Sequence, residues 1–144
     1  MAIAKSEKIY TLLYKAVDSM QGLIKKVVKP YGLNTNEYEI LKYIYRNGDQ
    51  PIQKIGEEIK VTSGSMTYLI DKLEKSGYLK RKPCAEDRRI MYGSLSDAGE
   101  ELIEQIIPEC DSKMEDVLGD FSEEEIESTI EVLRKMKREK VTTS

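Results

Sequence analysis

At 144 residues and 40% hydrophobic content, the chain can bury one core without disulfides or metals, whereas two domains of half that size would each be marginal. It has no histidine and only two cysteines, Cys84 and Cys110, which removes the commonest general base, the Ser-His and Cys-His nucleophile pairs, the usual zinc sites and any disulfide scaffold. The formal charge of −3 is unevenly spread: from Lys60 to Tyr92 eight Lys/Arg stand against four Asp/Glu, whereas from Asp97 to Glu131 fourteen acids stand against the single Lys113, so a polyanion can still dock locally.

From Ile9 the apolar residues Leu12, Leu13, Ala16, Val17, Met20, Leu23, Ile24, Val27 and Val28 recur at helical spacing and stop before Pro30 and Gly32. This predicts one long amphipathic helix whose stripe outruns what a small core can cover, which points to a partner surface. Charges interrupt every apolar run well short of the roughly 20 residues that cross a bilayer. The stretch Met1–Glu7 lacks a secretory h-region, so the expectation is a cytoplasmic protein with no membrane partner.

Asn34 with Glu37 has capping-box spacing and opens a second helix, with Tyr38, Leu41, Ile44 and Tyr45 as its buried stripe and Gly48 as its left-handed cap. Pro51 fits the first turn of a short third helix lined by Ile52, Ile55 and Ile59, in which Gly56 permits close helix approach. Thr62 caps a fourth helix running to about Ser76. It turns Met66, Leu69, Ile70 and Leu73 inward and Ser63, Gly64, Ser65, Thr67, Tyr68, Asp71 and Lys72 outward. Segments 78–83 and 90–95 read as strands around the loop Cys84–Arg89. Ser96 opens a fifth helix that Pro108 should kink near Glu104, and Ser122 with Glu125 opens a sixth ending in Lys135-Met136-Lys137-Arg138.

The pattern is mainly α with a small β-wing: a winged helix-turn-helix over 33–95, flanked by dimerisation helices over 5–30 and 97–140, in one domain spanning 1–144. A helix-turn-helix places its second helix in the major groove and its wing beside a minor groove. Ser63, Ser65, Thr67 and Tyr68 are then the candidates for base and phosphate contacts, Lys72, Lys80, Arg81 and Arg88 for the phosphate backbone, and Arg89 for the minor groove, with Asp87 shaping the wing.

The runs Val61-Thr62-Ser63-Gly64-Ser65, Leu73-Glu74-Lys75-Ser76-Gly77-Tyr78-Leu79-Lys80-Arg81, Asp87-Arg88-Arg89 and Leu95-Ser96-Asp97-Ala98-Gly99, in that order, resemble the MarR family of transcriptional regulators over nearly the whole chain. The resemblance implies a homodimer on a pseudo-palindromic duplex operator, most often a repressor released by a small phenolic or aromatic ligand or by cysteine oxidation. The segment 48–56 with its Asp-Arg-Arg wing is similar to the quinone- and electrophile-responsive branch. The N-terminal cysteine of the peroxide-sensing branch is missing, so its switch does not carry over.

Nine tyrosines against one Phe and no Trp suit a phenolic ligand site, with Tyr10, Tyr14 and Tyr38 as candidates, although half-buried packing is the commoner use of such rings. Cys84, between Lys80-Arg81-Lys82 and Arg88-Arg89, is a candidate thiol sensor, the plainer reading being an unreactive strand end. The acids Glu123, Glu124, Glu125 and Glu127 read as the first turn of a helix rather than a metal site. No metal, cofactor or enzymatic activity is expected. A winged-helix module that contacts protein instead of DNA remains the alternative from another class.

Overall fold

The computed structural model describes residues 1–137, and the predicted end of the last helix at Arg138, with the rest of the span to residue 140, lies outside them. Six helices are observed: α1 (Lys5–Val28), α2 (Thr35–Asn47), α3 (Ile52–Ile59), α4 (Ser63–Lys75), α5 (Asp97–Leu118) and α6 (Glu123–Met136). The strands β1 (Gln50–Pro51), β2 (Leu79–Pro83) and β3 (Met91–Leu95) form an antiparallel sheet in the order β1-β3-β2. β2 and β3 pair from Leu79 opposite Leu95 to Pro83 opposite Met91, leaving residues 84–90 as the wing.

The predicted caps are present. Asn34 accepts from the Glu37 N–H while Glu37 accepts from the Asn34 N–H, Ser122 and Glu125 do the same for α6, and Thr62 and Ser96 cap α4 and α5. Gly56 has its foreseen purpose, because a Cβ there would lie 2.7 Å from Met66 Cγ and would push α3 off α4.

Three local expectations need correction. Pro51 does not enter the first turn of α3; with φ −57° and ψ 133° it pairs with Tyr92 and ends β1. A residue without an N–H is tolerated there because β1 is an edge strand. Gly48 has the positive φ that excludes other residues, 77°, but with ψ −171° it extends the chain into β1 instead of making a left-handed cap. The left-handed residue that closes a helix is Lys60, at φ 62° and ψ 49°, whose N–H bonds Gly56 O. Such a conformation costs an ordinary residue about 1–2 kcal/mol, which the tight α3–α4 packing has to offset. Finally, α5 continues through Pro108, whose ring is exposed while Ile103, Ile106, Ile107 and Cys110 face inward.

The core gathers Val27 and Val28 from α1 with Tyr38, Ile40, Leu41, Ile44, Ile55, Ile70, Leu73 and the inner face of α5. Its members lie almost entirely between residues 27 and 110, so most of α1 and all of α6 have their apolar stripes uncovered. No α6 residue is fully buried, and Leu12 and Val17 on α1 are 58% and 50% exposed.

Candidate nucleic-acid interface

The outward face of α4 is the smoothest part of the lobe. Met66, Leu69, Ile70 and Leu73 fix the helix to the core, leaving Ser63, Ser65, Thr67 and Tyr68 exposed as the sequence places them. Their hydroxyls are not equivalent. Thr67 Oγ1 donates to the Ser63 carbonyl at 3.2 Å, so it offers only an acceptor. Ser65 Oγ accepts from Thr62 Oγ1 at 3.1 Å, which leaves its own hydrogen free to donate outward.

The cations divide into two groups. Arg81, expected on the phosphate backbone, instead forks between Asp71 and Glu74 of α4, each at 2.6 Å. Partial desolvation opposes its charge, but the bonds and field of the two carboxylates outweigh that and raise its pKa. Arg81 therefore ties β2 to the recognition helix. Lys72 donates to Glu37 of α2 at 3.4 Å, and Lys82 to Asp49 at the same distance. Lys80 and Arg88 are exposed and form no ion pair among the described residues.

At the wing tip Asp87 Oδ1 accepts from both the Arg89 N–H, at 3.0 Å, and Nε, at 3.1 Å, while Oδ2 accepts from a terminal guanidinium nitrogen at 3.0 Å. These bonds lower the Asp87 pKa and raise that of Arg89. Arg89 is nevertheless 90% exposed, so it is held in direction without being withdrawn from solvent. That arrangement suits an arginine aimed at a groove.

The three ligand-candidate tyrosines are not gathered into one pocket within the protomer. Tyr10 and Tyr14 are exposed on α1, whereas Tyr38 is in the core with its hydroxyl against Cys110. Burial first, then the bond to Cys110, pushes the Tyr38 pKa far above its usual value, and burial likewise raises the Cys110 thiol. Cys84 is half-buried at the end of β2, its N–H donating to Ile90 O at 2.9 Å. Sequence reasoning missed the Tyr31 hydroxyl, which donates to Glu109 and is raised in pKa mainly by that bond. It also missed Glu37, Asp71 and Glu74 as partners of the basic residues. Asp71 and Glu74, three apart on one helical face, were the available signal. Among the described residues no group of three or more His, Cys, Asp or Glu side chains is placed to hold a metal.

A recognition helix with small hydroxyls, packed through Gly56 and bordered by a basic wing, defines a winged helix-turn-helix protein of the DNA-binding class. Residues 33–91 match the MarR family. The HTH-type transcriptional regulator MhqR of Bacillus subtilis is 36% identical over 132 residues, covering 92% of this chain and 91% of MhqR. Among solved structures, NadR in complex with 4-hydroxyphenylacetate superposes with TM-score 0.84 at 21% identity, covering 96% of this chain and 99% of NadR. Reduced AbfR bound to DNA superposes with TM-score 0.72 at 21% identity over 91% of this chain and 90% of AbfR. The chain belongs to the MarR family of transcriptional regulators, which are not enzymes.

Proposed function

We propose that the chain is a homodimeric, sequence-specific repressor that binds a pseudo-palindromic operator and is released by a small aromatic ligand of the phenol or quinone class. The observation that carries the DNA reading is the pairing of an exposed hydroxyl face on α4 with a wing arginine clamped by Asp87 yet open to solvent. In this reading Ser63, Ser65, Thr67 and Tyr68 meet the major groove, Lys80 and Arg88 the backbone, and Arg89 the minor groove. Lys72 and Arg81 act chiefly by holding α4 against α2 and β2.

The dimer reading is supported by the uncovered stripes of α1 and α6, between which runs an apolar groove of about 470 Å³ lined by Leu12, Leu13, Val132, Leu133 and Met136 among others. A second copy of the chain is its occupant, so residues 5–30 and 97–140 serve assembly and 33–95 serve DNA. For the ligand, similarity to MhqR and the aromatic acid held by NadR both favour a phenolic or quinoid compound. The exposed rings of Tyr10 and Tyr14 would form its wall where the second α1 closes. The test is a gel shift on a duplex selected by the protein from a random-sequence pool, repeated across salt and then with phenols and quinones. Steeply salt-dependent binding that an aromatic compound abolishes supports the proposal, and failure to select any duplex overturns it.

A further inference from the structure

On the side of α4 away from the wing lies a crevice of about 760 Å³ between α1 and the start of α2, bordered by Lys25, Lys29, Asn34, Thr35 and Asn36. We infer that this crevice is a second phosphate-binding surface, which carries the DNA interface past the recognition helix onto α1 through Lys25 and Lys29. The inference rests on the proposed DNA-binding function and adds contacts that the winged lobe alone lacks.

Continuity is the first argument. Lys72, on the outward face of α4, reaches Glu37 Oε1 at 3.4 Å, and that same oxygen accepts from the Asn34 backbone N–H at 2.8 Å. Asn34 is part of the crevice wall, so one shared carboxylate oxygen joins the recognition face to the crevice. On the opposite flank a separate cleft brings Thr67 of α4 beside Arg89 of the wing. The recognition helix is thus bracketed, with the wing on one side and the crevice on the other.

Charge is the second argument. Lys25 and Lys29 are four apart, hence on one face of the helical run, and both are exposed. Among the described residues neither forms an ion pair, whereas Lys72, Arg81, Lys82 and Arg89 all do. Asp18 is the one acid bordering the crevice, so two cations face one carboxylate. The buried Glu37 does not cancel them, since its oxygen is already occupied by Lys72 and Asn34. Asn34 and Asn36 add short amide donors of a kind that phosphate oxygens accept. A surface of unpaired ammonium groups and amides beside a groove-reading helix fits the phosphates of the same duplex.

The experiment measures operator affinity across a salt series for the wild type, Lys25→Ala/Lys29→Ala and Lys25→Arg/Lys29→Arg, on a duplex selected by the wild-type protein. Loss of two phosphate contacts should lower affinity about tenfold or more and reduce the slope of log K against log salt by about two. The arginine pair should restore both, and thermal unfolding should be the same in all three proteins. An alanine pair with wild-type affinity and slope overturns the inference while leaving the DNA-binding function standing. Absent or salt-independent binding by the wild-type protein overturns both.

Discussion

The backbone of Gly99 abuts the carbonyl of Tyr78: a Cβ on residue 99 would fall 2.9 Å from the carbonyl carbon and well inside contact of its oxygen. Two further bonds fix the junction, from Ser96 Oγ to Gly77 O at 2.5 Å and from Ser96 N–H to Tyr78 O at 3.1 Å. The first turn of α5 is thereby seated on the turn that ends the recognition helix. Any displacement of α5 must be felt at α4 and β2.

Gly99→Ala sets two effects against each other. Alanine inside a helix gains about 1 kcal/mol over glycine. The new methyl group meets backbone rather than a flexible side chain, and overpacking of that kind costs about 1–3 kcal/mol or more. The clash should win, giving a net loss of about 1–2 kcal/mol and a lower urea midpoint. A stabilised variant would mean that α5 can slide away from Tyr78 at little cost.

Arg81→Ala and Lys80→Ala should separate structural cations from contacting ones. Arg81 is partly sheltered and doubly paired, but its carboxylate partners are about half exposed, so its removal should cost only about 1 kcal/mol of stability. Operator affinity should fall through misplacement of the wing, with the salt slope unchanged. Lys80 is exposed and unpaired among the described residues, so its removal should leave stability alone and reduce the slope by about one. Equal slopes for the two variants would remove the distinction.

The wing clamp predicts the pH response. Because Arg89 depresses the Asp87 pKa, the stabilisation from the clamp is present above the ordinary carboxylate range and disappears only as pH falls through the lowered value. With no histidine in the chain, operator affinity should be flat between about pH 5 and 8. Arg89→Ala should weaken the operator by about 1–3 kcal/mol with the unfolding midpoint intact. Asp87→Asn should also weaken it, although it makes the wing more positive. Tighter binding by Asp87→Asn would show that charge, not orientation, governs the tip. Fluorescence anisotropy with a labelled duplex reads all three.

Local rules made most of the fold legible. Capping pairs, glycine stops and apolar spacing placed six helices and two strands because each signal lies within four residues of what it controls. Three features escaped for a common reason. The β1 strand exists only through its pairing with β3, the left-handed turn at Lys60 only because α3 and α4 pack tightly, and the Arg81 fork only because β2 returns alongside α4. In each the partner is remote or the cost is met by tertiary contacts. The same holds for Tyr38: helical spacing marked it as inward-facing, but nothing in the sequence places Cys110 of α5 against its hydroxyl.

Val132→Glu tests assembly without confounding it with folding. No α6 residue is fully buried in the protomer, and Val132 is 47% exposed, so a carboxylate there should leave helicity and the core intact. In the proposed dimer the same carboxylate would lie in the apolar groove between α1 and α6, desolvated and without a partner. Light scattering should then report a monomer at micromolar concentration. Operator affinity should drop further than any single wing substitution lowers it, because losing the tethered second half-site removes about 10²–10⁴-fold of avidity. An isolated half-site duplex, read by one lobe alone, should be bound as well by the variant as by the wild-type chain. A variant that stays dimeric, or that binds the full operator unchanged, would place the assembly surface elsewhere and detach α6 from DNA recognition.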